Sequence, residues 1–248
     1  MSDDAIPAAT VILVRERSSG APELRMVDRA VDMAFAGGAW VFPGGRIDAA
    51  DEQLGSRIGK TDAGARVAAV REALEETAIP VGLAPLPSPD VAASLQTRLL
   101  AGDELEHLLV PHGIEFDLDA LTPLARWVPR FHAKRRFDTL FFVARAPDGD
   151  WLPNTVESEC TGAHWASAGE VLDRDQAGEI QLIFPTRRTL ERLAQHASFD
   201  DIIADALAHP IEAISPWLDE VDGERFITIP EGIGYPVTRE KLDGLWRG

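Results

Sequence analysis

Two hydrophobic periods alternate along the chain. Residues 9–16, Ala-Thr-Val-Ile-Leu-Val-Arg-Glu, form a β-branched and apolar run that reads as a buried strand. A Ser-Ser-Gly-Ala-Pro-Glu break follows, and Leu24 to Arg29 reads as a second strand. Trp40 to Phe42 makes a short strand between glycine pairs, and Pro43-Gly44-Gly45 after it signals a turn or a close approach. Residues 46–63 are polar and read as a loop. Thr61 or Asp62 is placed to cap a helix running to about Thr77. In that helix Val67, Val70 and Leu74 form a core-facing stripe, with Glu72, Glu75 and Glu76 on the opposite side. Pro80 ends it. Helical patterning over about 88–111 marks an insertion between strand-like regions. The sheet resumes at 121–130, Phe137 to Ala146 and 162–167, followed by a helix from Ala168 to about Ala177. From about 185 to 248 the pattern is mostly helical, closing on a strand-like Arg-Phe-Ile-Thr-Ile. With no repeat and no clear linker, the expectation is one α/β domain over 1–248.

Composition narrows the function classes. The chain has 248 residues, 45% of them apolar, which suits a globular core. Its net charge is −17, from 41 acids against 24 bases, which argues against coating nucleic acid or an anionic membrane. Cys160 is the sole cysteine, so no disulfide framework or cysteine zinc site is expected, and a reducing, cytoplasmic setting fits. The first ten residues are acidic, so no signal peptide is expected, and the sequence holds no apolar run of 18 residues to cross a membrane.

The acids of Val70-Arg71-Glu72-Ala73-Leu74-Glu75-Glu76 stand out against this background. Carboxylates at i, i+3 and i+4 share a helix face and repel one another by a few tenths of a kcal/mol per pair. Such a run is ordinarily a solvated face. Here no lysine or arginine sits on the glutamate face, and a strand, a Pro-Gly-Gly turn and a loop precede the helix. Clustered carboxylates are natural hosts for a hard cation, and Mg²⁺ commonly bridges such acids to substrate phosphates.

Gly45 and the run Arg71-Glu72-Ala73-Leu74-Glu75-Glu76-Thr77-Ala78-Ile79 resemble the Nudix hydrolase signature, G-x5-E-x7-R-E-U-x-E-E-x-G-U with U bulky and apolar. Ala73 is small for its U position. Gly45 and Arg71 lie 26 positions apart, twelve more than the pattern has. Counting forward puts its first acid at Asp51; counting back puts it at Ala63, beside Asp62. Both acids stay open as the partner of Arg71. Ala78 replaces the closing glycine, at a cost of about 1 kcal/mol if the backbone there is left-handed. The interrupted box, residues 35–51, Arg-Arg-Phe-Asp-Thr-Leu-Phe-Phe-Val-Ala, Glu-Cys-Thr-Gly-Ala-His-Trp and Ile-Phe-Pro-Thr-Arg-Arg-Thr-Leu resemble one branch of the family. That branch contains the peroxisomal coenzyme A and acyl-CoA diphosphatases and bacterial relatives.

The resemblance implies a Nudix-type α/β/α sandwich with a mixed sheet, and hydrolysis of a diphosphate in a small-molecule nucleotide with Mg²⁺ or Mn²⁺ as cofactor. CoA or an acyl-CoA is the first expectation for substrate. ADP-ribose, an ADP-sugar or a dinucleotide is the alternative, and a non-catalytic binding module the second. Glu72, Glu75 and Glu76 would hold the metal with the Gly45 carbonyl, and Arg71 would support a loop acid. Glu159, with Glu157 as rival, or a helix glutamate would be the general base. Gly44 and the basic stretch Arg130, Lys134, Arg135 and Arg136, with Arg126 and His132 nearby, are the candidates for substrate phosphates. Trp127 and Phe131 interleave there as candidate base contacts. A solvated loop is the equal alternative for this stretch. Trp40 and Phe42 read as core, and Cys160 as a bystander. Dimerisation is common in the family, so a homodimer is compatible.

Overall fold

The computed structural model describes residues 5–30, 38–129, 136–149, 151 and 160–242. In chain order it contains β1 (Ile6–Arg15), β2 (Glu23–Arg29), β3 (Trp40–Val41), β4 (Gly44–Arg46), α1 (Ala49–Ile58) and α2 (Ala63–Thr77). Then come β5 (Leu83–Ala84), α3 (Pro89–Leu100), α4 (Leu105–Leu109), β6 (Glu115–Phe116), β7 (Thr122–Trp127), β8 (Phe137–Arg145) and β9 (Cys160–Ser167). The remainder is α5 (Ala168–Gln176), α6 (Phe184–Leu193), α7 (Phe199–Ala208), β10 (Ala213–Ile214), β11 (Trp217–Val221), β12 (Glu224–Thr228) and β13 (Arg239–Lys241).

The main sheet runs β10-β7-β8-β1-β2-β3, with β4 also pairing β1 and β9 pairing β2. The β1–β8 and β10–β7 pairs are parallel and the others antiparallel, so the sheet is mixed. Alternation along β1 explains its central place. Ala9, Val11 and Leu13 enter a core cluster with α2, α3 and α4, while Ile12 and Val14 enter the cluster containing residues of α5, α6 and α7. β8 divides likewise, with Phe142 and Ala144 on the first side and Phe141 and Val143 on the second. Helices therefore cover both faces of one sheet, the expected α/β/α sandwich.

Three expectations change. The stretch 46–63 is not a plain loop, because it forms α1. Asp48 N donates to Asp51 Oδ2 at 2.9 Å across the first turn, and Gly59 closes the helix at φ 71°. Gly55 of α1 packs directly on the Gly64 backbone of α2, where a Cβ would collide. Second, α2 is not two-faced. Its alanines let neighbours approach closely, and Ala63 to Val70 are all buried, as are Glu72, Ala73, Leu74 and Thr77. Asp62 precedes it at φ 53°, without capping through its side chain. Third, the segment after about 185 is helical only through α7. Asp222-Gly223, at φ 54° and 79°, turns β11 into β12, and β13 completes a three-stranded antiparallel sheet. An Asp-Gly pair at positive φ between extended residues is a strong hairpin signal. The insertion at 88–111 is helical as expected, with Ser88 Oγ accepting from Val91 N at the start of α3. No helix among the described residues is long and apolar enough to cross a membrane.

Candidate active site

β4 lays Gly44, Gly45 and Arg46 against Thr10, Ala9 and Ala8 of β1. A Cβ on Gly44 would stand 2.6 Å from the Ala9 carbonyl oxygen, and one on Gly45 would run into the Glu72 carboxylate. Gly45 is thus required by the close approach of strand to helix. Glu76 reaches the same strand from the next helical turn, accepting a hydrogen bond from Gly44 N at 3.0 Å. Glu72 is 8% exposed, so it belongs to the interface between α2 and β4 and not to a solvated face.

Arg71 organises the group. Its Nε donates to both Asp51 oxygens at 3.2 and 3.3 Å, and its Nη2 to Asp51 Oδ2 and the Arg46 carbonyl, each at 2.9 Å. Its Nη1 donates to Glu72 Oε1 at 2.8 Å and Glu75 Oε2 at 3.0 Å. Asp51, itself 3% exposed, is therefore the loop acid that Arg71 grips, and Asp62 is not. The forward count from Gly45 was the right one. The extra residues of the interrupted box follow Asp51 and build the rest of α1 and its turn into α2. Burial opposes the charge on Arg71, but the Asp51 hydrogen bonds and the charges of Glu72, Asp51 and Glu75 outweigh it and raise its pKa. The Glu75 carboxyl is pushed up to about 7, first by burial and then by the charge of Glu72, with Arg71 pulling the other way. Gln96 of α3 donates to the Glu75 carbonyl at 2.9 Å and pins the helix from behind.

Carboxylates suit a hard divalent cation: Glu72 and Glu76 stand at the glycine strand and Glu75 lies beside Arg71, its carboxyl pushed up by burial and by the charge of Glu72. In this arrangement Arg71 holds Glu72 and Glu75. Among the described residues no three acidic, histidine or cysteine side chains close around a common point.

Other candidates fall elsewhere. Arg136 lies at the entry to β8, its carbonyl accepting from Ile6 N at 2.8 Å at the end of β1 nearer β4. Arg130, Lys134, Arg135 and Glu159 lie outside the described residues, as do Phe131, His132 and Glu157. Arg126 is committed to a two-pronged pair with Asp138, at 2.7 and 2.6 Å. Trp127 is core, 1% exposed, donating to the Tyr235 hydroxyl at 3.0 Å, so it is not an open stacking surface. Trp40 and Phe42 are buried as expected, with Trp40 stacked on His164 at 4.6 Å. The C-terminal end of α2 also matches expectation: Ala78 sits at φ 56°, in the left-handed region where the signature has glycine.

The mixed sheet between helical layers matches the fold of a Nudix hydrolase of known structure, and an Arg-Glu helix lies against its Gly-Gly strand. No family model matches the chain. Its relatives agree with the fold. It is 29% identical over 252 residues to the human acyl-coenzyme A diphosphatase NUDT19, covering 79% of this chain and 66% of that protein's length. It is 28% identical to a NUDIX hydrolase from Alicyclobacillus acidocaldarius of known crystal structure. That likeness has a TM-score of 0.70 and covers 82% of this chain and 97% of the other.

Proposed function

We propose that the chain hydrolyses the diphosphate of a nucleoside diphosphate linked to a second moiety, with CoA or an acyl-CoA as substrate and Mg²⁺ or Mn²⁺ as cofactor. The observation that supports the reading is the pair of contacts by which Arg71 holds Glu72 and Glu75 while Glu72 and Glu76 stand at the Gly44–Gly45 strand. The name of the human relative supports the substrate class.

Glu72, Glu75 and Glu76, with the Gly45 carbonyl, would hold the cation. When bound, the ion would neutralise charge on the phosphoryl oxygens and acidify a water. The chain's own part is positioning and proton control. Arg71, locked by Asp51, fixes the rotamers of Glu72 and Glu75, as a supporting residue does for metal ligands. Water adds to one phosphorus, the anhydride P–O bond breaks, and two phosphomonoesters leave. The water's proton passes to a carboxylate. A helix glutamate would serve where its oxygen is not on the cation. Glu159 is the acid suggested by resemblance. The intact glutamates argue against a silent binding module.

The test is a hydrolysis panel with purified full-length protein and Mg²⁺. The expected products from CoA are adenosine 3′,5′-bisphosphate and 4′-phosphopantetheine. AMP and a sugar phosphate from ADP-ribose, with CoA untouched, would redirect the substrate assignment. No turnover across the panel would favour the binding module.

A further inference from the structure

A second buried arginine lies on the sheet face that α2 covers. Leu24 and Met26 of β2 enter the core cluster beneath α5–α7, so Arg25 between them projects to the other side. Its strand neighbour there is Trp165 of β9, which packs against the cluster that includes α2. Arg25 is 6% exposed, and among the described residues its guanidinium makes no ion pair or hydrogen bond. Its Nε is fully buried with no acceptor. A charge of its own sign shares the ring: Arg15 stands 4.4 Å over Trp165, with Arg25 at 5.3 Å. Glu23, the adjacent acid, is taken up by Arg15 and Arg17. Burial, and then the charge of Arg15, lower the Arg25 pKa to about 10.

A buried guanidinium without a counter-ion costs several kcal/mol, and the ring contact recovers only part of that. A residue kept purely for packing would be replaced by an apolar side chain at no loss. Trp165 is only partly buried, so the pair lies at the edge of the core. The guanidinium is a planar fork of donors, its Nε without an acceptor, and such a fork matches a phosphate or carboxylate geometrically. The position is on β2 and β9, away from the glutamates at β1 and β4, so it would meet a different part of the substrate from the diphosphate under attack.

We infer that Arg25, walled by Trp165 and Arg15, is an anion subsite that binds a phosphate monoester on the nucleotide end of the substrate. Its place in catalysis rests on the diphosphatase reading, but binding is measurable without it. Adenosine 3′,5′-bisphosphate has no anhydride to cleave and serves as the probe, titrated calorimetrically into the full-length chain. Arg25→Met should weaken its binding at least ~10-fold, the scale of a lost charge-assisted hydrogen bond, while Arg25→Lys keeps part of it. In turnover, Arg25→Met should raise KM for CoA by about tenfold with kcat little changed, and leave 3′-dephospho-CoA unaffected. Equal bisphosphate binding by wild type and Arg25→Met, or none by either, would overturn the inference. So would equal losses on CoA and dephospho-CoA. If the wild type binds the bisphosphate through Arg25 yet hydrolyses no diphosphate, the subsite stands and the diphosphatase reading falls.

Discussion

Arg25 is buried and Arg71 partly so, and both lie on the side of the sheet that carries α2, yet their surroundings are opposite. Arg71 touches Asp51, Glu72, Glu75 and the Arg46 carbonyl. Arg25 touches an indole and faces another arginine. The first is a cation supplied with an excess of acid, which fits a residue that organises a site. The second is a cation awaiting an acid, which fits a residue that receives a ligand. A buried charge is informative chiefly through its partners.

Changes to this contrast have unequal effects. Glu75→Gln should reduce divalent-dependent turnover by roughly 100-fold or more, since it removes a ligand and a proton site together; steady-state kinetics at saturating Mg²⁺ measures it. Asp51→Ala strips Arg71 of its strongest partner and should cost ~3 kcal/mol in chemical denaturation. Asp62→Asn, at the acid that Arg71 ignores, should stay within about 0.5 kcal/mol. Equal effects at the two positions would undo the assignment of Asp51.

Glu75 makes the contrast depend on pH. Its folded-state pKa, about 7, lies above the ordinary value of 4.5. The stability it contributes is therefore fully present below about 4.5 and is lost as pH rises through 7, at most about 3 kcal/mol. Without divalent ions, the melting temperature of wild type should fall relative to Glu75→Gln over that window. Apparent Mn²⁺ affinity should rise about tenfold per pH unit below 7 and level off above it, because cation and proton compete for one carboxylate. A flat Mn²⁺ titration from pH 5.5 to 7 would remove Glu75 from the ligand set. Arg25→Met should do the opposite of Asp51→Ala and leave stability unchanged or raise it by ~1 kcal/mol, as calorimetric melting would show. The smallest effect belongs to Ala78→Gly, expected to add ~0.5 kcal/mol by relieving the left-handed residue after α2.

The sandwich was legible because β1 and β8 carry unbroken apolar runs, Val11–Val14 and Leu140–Ala144, as strands covered on both faces do. The glutamate helix was legible because its acids broke the usual pattern of charge relief. Two features escaped for local reasons. α1 is short, polar and held by Asp48, Asp51 and Gly59, so capping outweighed the absence of an apolar stripe. The final hairpin hinged on Asp222-Gly223, a two-residue signal inside a charged stretch. Arg71's partner could not be chosen by counting, because an insertion leaves two valid registers and only packing separates them. Arg25 left a fainter mark: an arginine at an inward position of the strand Glu-Leu-Arg-Met-Val-Asp-Arg. Trp127 shows the converse, since an aromatic within a basic stretch reads as a base contact until burial shows it is core.

The central claim is that Glu72 and Glu75, kept in place by Arg71, and Glu76, held by Gly44 N, act through a divalent cation on a diphosphate. Its most direct test is the Mg²⁺ dependence of CoA hydrolysis by the full-length chain. The account predicts no turnover with a chelator present and a saturable rise as Mg²⁺ is restored. The same turnover in chelator as in Mg²⁺ would contradict it.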